Sequence, residues 1–287
     1  MSNEYAIAGT IFRPATAHVY MEISMKQRIG RILWAIYLFL WAWSVPLLAL
    51  DLVPAGGEWM ATVMLILPGG LCGWWLVARF RSAGALAAAG VLAGSWAAEH
   101  AGVLTGWPFG AYAYTGVLQP TLGGVVPLAI PFAWLLVVPG ALEVARLLLG
   151  HVRPLPQVAL AAALATLFDM VIEPAAVYIN RYWTWADSGP IFGIPSTNFA
   201  AWFGLALLMA MVTRLLIEFS RWRGAMPAAV SLPAMLYGLN LALFTLVDLT
   251  HGQLAAGGLG LALLAGGGAL LAWRRRVRWQ LSFDALT

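Results

Sequence analysis

Residues 156–178 read PQVALAAALATLFDMVIEPAAVY, a run that holds two carboxylates, Asp169 and Glu173, and no cation. Its length and apolarity are those of a bilayer-spanning helix, which needs about 20 predominantly apolar residues. It lacks the polar stripe at helical period that a helix on the surface of a soluble domain shows. Comparable apolar stretches recur from Leu33 to Trp273, and 62% of the 287 residues are hydrophobic against 10% charged. A soluble domain carries roughly 25% charged residues. The sequence therefore predicts an all-α, polytopic transmembrane helix bundle.

Eight spans are expected, near 30–52, 60–79, 84–101, 127–149, 156–178, 199–219, 230–250 and 254–273. The third is short, and a very short turn separates the last two. The last is rich in glycine (Gly257, Gly258, Gly260, Gly266, Gly267, Gly268), which permits close helix approach. Residues 1–24 are expected to be a poorly ordered N-terminal segment, 25–279 a single bundle and 280–287 a tail. No apolar core before Ile29 is long enough for a cleavable signal, and Met21 and Met25 are alternative starts.

Charge placement sets the expected orientation. With the N-terminus inside, 15 of the 16 Lys and Arg residues fall in inner segments, from Arg13 and Lys26 to the Arg274–Arg275–Arg276–Arg278 group, and only Arg181 falls outside. Cations mark the cytoplasmic side. Such a distribution requires an even number of spans, so both termini are expected in the cytoplasm and the protein in the inner (cytoplasmic) membrane. The basic tail then reads as an anchor facing anionic lipid, and no nucleic-acid partner is expected. The single cysteine, Cys72, excludes an intramolecular disulfide framework and a multi-cysteine metal site.

Two long segments join spans on the outer side, roughly 102–126 and 179–198. The first carries Gly106-Trp107-Pro108-Phe109-Gly110-x-Tyr112-x-Tyr114, the second Tyr182-Trp183-x-Trp185 and Gly193-Ile194-Pro195 leading to Asn198-Phe199. Their aromatic content is too high for a disordered linker. They form either an aromatic belt at the interface or a capping layer over a cavity, since irregular backbone at membrane depth survives only where protein or a water-lined cavity satisfies it.

Ionisable residues inside spans cost several kcal/mol and are functional candidates by default. Glu99 and His100 end the third span. Asp169 and Glu173, four apart, share one helix face in the outer half of the fifth. Two carboxyls so placed repel if both ionise, so one is expected to keep its proton. Asp248 lies two turns above Asn240 on the seventh span, His251 one turn beyond, and Asn198 opens the sixth. All but Asn240 belong near one membrane face. The alternatives are plain: Asp248 and His251 as wet interfacial groups, His100 as a structural histidine, Asn198 as a helix cap. Glu143 with Arg146, and Arg214 with Glu218, read as structural pairs at the inner ends of their spans.

The four histidines, His18, His100, His151 and His251, are too few and too scattered for a His-rich metal site, and no phosphate-binding glycine loop or nucleophile elbow occurs. No metal and no cofactor is expected. What remains is acid–base chemistry on a lipid-soluble substrate: a buried neutral acid can protonate an electron-rich alkene, and aromatic faces can stabilise the resulting cation.

The run Glu99-His100-x-Gly102-x-x-x-Gly106-x-Pro108-Phe109-Gly110-x-Tyr112-x-Tyr114 resembles the signature of the carotenoid biosynthesis membrane proteins, which include the carotenoid 1,2-hydratases of the CruF type. Gly124-Val125-Val126-Pro127, Trp134, Asp169-x-x-x-Glu173-Pro174, Trp183-x-Trp185 and Gly193-Ile194-Pro195-x-x-Asn198-Phe199-x-x-Trp202 are similar to the same family, over roughly residues 95–205. The chain departs from that pattern at Glu173, where Asp is usual, and at Ala201, where glycine is usual. The resemblance implies cofactor-independent addition of water to the C1–C2 double bond of a ψ-end carotenoid drawn from the bilayer. With the residue reading above, it puts Asp169, Glu173, Glu99 and His100 in the catalytic set. Asn198, Asp248, Trp107, Phe109, Tyr112, Tyr114, Trp183, Trp185, Phe199 and Trp202 form the substrate-binding set. Other carotenoid-pathway enzymes are the partners it suggests. Two rival readings are a proton-coupled transporter, which predicts acids spread through the membrane depth and internal repeats, and a non-catalytic scaffold for carotenoid enzymes.

Overall fold

Apolar side chains on every face of a helix leave no stripe that prefers water, so such helices pack together and turn the remainder outward to lipid. The computed structural model shows this arrangement over the residues it describes, 14–150, 154–219 and 231–284. Seven helices, α1 (Pro14–Ala49), α2 (Trp59–Thr105), α3 (Ala129–Leu149), α4 (Pro154–Pro174), α5 (Ser196–Phe219), α6 (Leu232–Thr250) and α7 (Leu254–Asp284), carry the bundle. All seven are long and apolar enough to cross a bilayer. The helices α3 and α6 are buried over most of their length, whereas α1 and α7 present Phe39, Trp43, Leu261 and Trp273 outward.

The helix α2 is two rods. Arg81 leaves helical geometry at φ 56°, ψ −126°, and the chain doubles back there. A Cβ on Gly73 would lie 3.9 Å from that of Ala88, whereas fifteen residues of straight helix would separate them by roughly 22 Å. The expected spans 60–79 and 84–101 are thus the two arms of a hairpin, and the described residues form eight rods. Tight approach at the turn needs glycine: a Cβ on Gly84 would collide with the Leu76 carbonyl.

Most expected boundaries fall within a few residues of the observed ones. The helices α1 and α7 are the exceptions: α1 already runs from Pro14, and α7 continues to Asp284, past the expected end at 273 and into the expected tail. Of the segment 1–24, residues 1–13 lie outside the described residues, as do His151, Arg153, Arg221, Arg223 and the last three residues of the expected tail. In α7, Gly257 and Gly260 meet Leu249 and Thr245 of α6 closely, while Gly258, Gly266, Gly267 and Gly268 face open space.

One end of the bundle gathers the structural charges. Glu143 and Arg146 pair at 3.0 Å, and Arg214 pairs with Glu218 at 2.9 Å while also donating to Gln157. Arg274 donates to the carbonyls of Leu147 and Leu149, a cation at the negative end of α3. The opposite end is closed by the non-helical segments, which contain four short strands: β1 (Tyr112–Tyr114), β2 (Thr121–Leu122), β3 (Val126–Pro127) and β4 (Trp183–Trp185). There His251 donates from Nε2 to the Asp51 carboxylate at 3.0 Å, tying the end of α6 to the end of α1.

Helix approach supplies a test of the packing. A Cβ on Gly69 would collide with the Phe132 carbonyl of α3, whereas one on Gly70 would meet nothing. Gly69→Ala should lower stability by about 1–3 kcal/mol, and Gly70→Ala should leave it unchanged or slightly raised. Thermal unfolding of the two variants in detergent distinguishes them.

Candidate active site

The two outer segments meet as a ribbon. The strands β1 and β4 pair antiparallel, with Tyr112 opposite Trp185, Ala113 opposite Thr184 and Tyr114 opposite Trp183. Side chains alternate faces along a strand, so the four aromatic residues turn toward the bundle while Ala113 and Thr184 turn out. Backbone bonds from Ala186 to Ala111 and from Thr115 to Tyr182 extend the pairing. The Thr197 hydroxyl donates to the Phe109 carbonyl at 2.7 Å and pins the ribbon to the first turn of α5.

Beneath the ribbon stand three buried carboxyls. Glu99, from the second arm of α2, accepts from the hydroxyls of Tyr112 (2.6 Å) and Tyr114 (2.8 Å) and, at its other oxygen, from the indole of Trp134 on α3 (2.9 Å). Burial, and next the Glu99 charge, push both tyrosine hydroxyls above their ordinary range, which keeps them protonated as donors. Glu173 accepts from the indoles of Trp183 (3.2 Å) and Trp185 (3.0 Å) and from the Asn198 amide (3.1 Å). The same amide donates to Asp169 at 2.9 Å. Among the described residues no side chain donates to the second Asp169 oxygen.

Local sequence explains these positions. Asp169 and Glu173 are one turn apart on α4. Pro174 follows, and a π-helical turn over Ala175–Ile179 takes up the distortion, as a proline without an N–H favours. Asn198 lies in the first turn of α5, its side chain turned inward to the two carboxyls; it does not cap the helix. Gly102 is one turn beyond Glu99, and a Cβ there would come within 2.7 Å of the Phe109 ring and 3.0 Å of the Tyr112 hydroxyl.

These groups surround a cavity of about 70 Å³. Of the residues singled out in the sequence, Glu99, Asp169, Glu173, Asn198, Phe109, Tyr112, Tyr114, Trp183, Trp185 and Trp202 line it. Four others are placed elsewhere. His100 follows Glu99 on the helix, so its ring points roughly 100° away and stacks on Trp96 at 5.0 Å. Phe199 is rotated out of the cavity in the same way relative to Asn198. Trp107 is 75% exposed. Asp248 is fully buried in α6, and neither of its carboxylate oxygens has a partner among the described residues. The site reading left out eight lining residues, among them Trp134, Tyr182, Leu65 and Phe244. Trp134 had a signal, being the lone indole in its span; it stacks on Trp202 at 3.8 Å with the rings 9° from parallel. Among the described residues no three His, Cys, Asp or Glu side chains are arranged to hold a metal ion.

Residues 60–266 match the carotenoid biosynthesis protein family. Bisanhydrobacterioruberin hydratase of Haloarcula japonica is 34% identical over 200 residues, 66% of this chain. The matched region spans 62% of the length of that relative. No solved structure matches the chain.

The donor-rich surroundings of Glu99 make it a structural keystone of the cap. Glu99→Leu strands two hydroxyls and an indole without an acceptor, at about 1–3 kcal/mol each. It should lower stability by about 3 kcal/mol or more, while Glu99→Gln, which keeps an acceptor, should lose clearly less. Thermal unfolding followed by tryptophan fluorescence reads both.

Proposed function

Because the chain belongs to the carotenoid biosynthesis protein family, we propose that it is a membrane hydratase that adds water to the terminal C1–C2 double bond of a ψ-end carotenoid. The observation that carries this reading is the unequal satisfaction of three carboxyls around one apolar cavity. Glu99 and Glu173 each accept three hydrogen bonds, and Asp169 accepts one. Asp169 is therefore the acid with an oxygen left for the substrate.

In the proposed reaction the protonated Asp169 gives its proton to C2. A C2–H bond forms, the π bond breaks, and a tertiary cation is left at C1. The indole faces of Trp183, Trp185 and Trp202 and the negative charge beneath them stabilise that cation. A water held by Glu173 and Asn198 attacks C1. Its surplus proton passes through the carboxyl pair and restores Asp169, so one water is consumed and the product is a 1-hydroxy tertiary alcohol. Hydration is redox neutral, and the carboxyls supply both acid and base. The ribbon keeps bulk water from the cation, which would otherwise be lost to side reactions. The cationic end of the bundle would face the cytoplasm and the capped end the opposite side, with the carotenoid entering from the bilayer.

The relative's name, a hydratase of bisanhydrobacterioruberin, supports water addition to a carotenoid. The test is expression in a lycopene-producing bacterial host with pigment analysis by mass spectrometry. A gain of one water per modified end is the expected result. Asp169→Asn should retain expression and lose about 10²–10⁴-fold in rate, the usual worth of a positioned general acid. Full activity in that variant would remove Asp169 from its role, and unchanged pigment with the parent chain would remove the hydratase.

A further inference from the structure

A second cavity, of about 300 Å³, abuts the acid chamber and shares Leu65, Tyr182 and Phe244 with it. It lies between the end of α1, the first turns of α2 and the middle of α6. We propose that this cavity is the polyene subsite: it holds the isoprenoid chain directly behind the reacting end, and Leu65, Tyr182 and Phe244 form the partition through which that end reaches Asp169. The proposal rests on the hydratase reading above and gives its site a length requirement.

Volume is the first argument. A cavity of roughly 150 Å³ binds a benzene, so a chamber of about 70 Å³ cannot take more than the tip of a substrate. The chain attached to that tip must leave through a wall, and the wall formed by these three side chains has a larger hollow behind it.

The lining is the second argument. Leu47, Leu48, Met60, Met64 and Leu243 supply an apolar surface, and methionine adapts to irregular apolar partners. Three polar side chains in the wall donate within the protein. The Ser44 hydroxyl donates to the Leu40 carbonyl, the Asn180 amide to the Ala175 carbonyl, and the Asn240 amide to the Tyr37 hydroxyl and the Leu236 carbonyl. Those three donors make no demand on water. The carboxylates Asp51 and Glu58 are exposed at the rim, where a charge can stay wet. The outer wall is α1, whose residues are largely turned to the surroundings, so the cavity is one helix away from the lipid that delivers the substrate.

Filling the cavity tests the assignment. Met64→Trp and Leu243→Trp, from two different helices, narrow it without touching the carboxyls. Hydration by the purified full chain is measured on lycopene and on 2-methyl-2-pentene, which carries the same trisubstituted alkene with almost no chain. Each variant should lower the ratio of kcat/KM for lycopene to that for the short alkene at least tenfold, with folding checked by thermal unfolding. An unchanged ratio, whether both substrates fall in parallel or neither falls, would overturn the subsite; a parallel fall would mark the cavity as a water route. If the parent chain hydrates neither alkene, the hydratase reading itself fails, and that result is distinct from an unchanged ratio.

Discussion

Two carboxylates hold the lid on this bundle. The ribbon of β1 and β4 has only three residues in each strand, far too few to fold alone, and it crosses an end of the protein where lipid headgroups and water compete for every polar group. What fixes it is donation downward: Tyr112 and Tyr114 to Glu99, Trp183 and Trp185 to Glu173. Hydrogen bonds to an ionised acceptor are roughly twice as strong as neutral ones, and in a dry site an unpaired carboxylate is costly. Cap and carboxyls are therefore mutually dependent. The acids make the aromatic residues face inward, and the aromatic residues make the buried acids tolerable.

That dependence divides the labour among three acids that look alike in the sequence. Glu99 and Glu173 each give three acceptor positions to holding the structure, which leaves about one for a water, whereas Asp169 gives only one. The Asn198 amide spans Asp169 and Glu173 with its two N–H groups, which fixes their separation and gives a proton a short route between them. An arrangement in which all three were fully satisfied would be a structural plug. One left open inside an otherwise satisfied cage is the pattern of a preorganised acid, whose neighbours need not move when it reacts.

Much of this was legible before any coordinates. The spans were, because in lipid each must satisfy its own backbone and be apolar all round, and the hairpin within α2 was, because the polar break around Arg79 and Arg81 interrupts two full-length apolar runs. The convergence of Glu99, Asp169, Glu173 and Asn198 followed from depth alone. Azimuth did not follow. His100 has the depth of Glu99 and points elsewhere, and Asp248 has the depth of the site and sits within α6 away from the cavity. The pairing of β1 with β4 was encoded as Tyr-x-Tyr and Trp-x-Trp, a period of two that signals a strand. With about seventy residues between the two motifs, nothing local says that they meet.

The two cavities also differ in which part of the chain builds them. Every wall of the acid chamber, from Leu65 to Phe244, lies inside the residues that match the family. The second cavity takes Ser44, Leu47, Leu48, Asp51 and Val53 from the end of α1 and its following turn, all outside that match. Under the proposed hydration, the proton donor and the aromatic faces that would stabilise the cation thus stand wholly in the matched part. In that reading, the wall that would meet the rest of the substrate has no such constraint. If the proposal holds, change in α1 would alter which substrate is admitted while the carboxyls and their donors stay as they are.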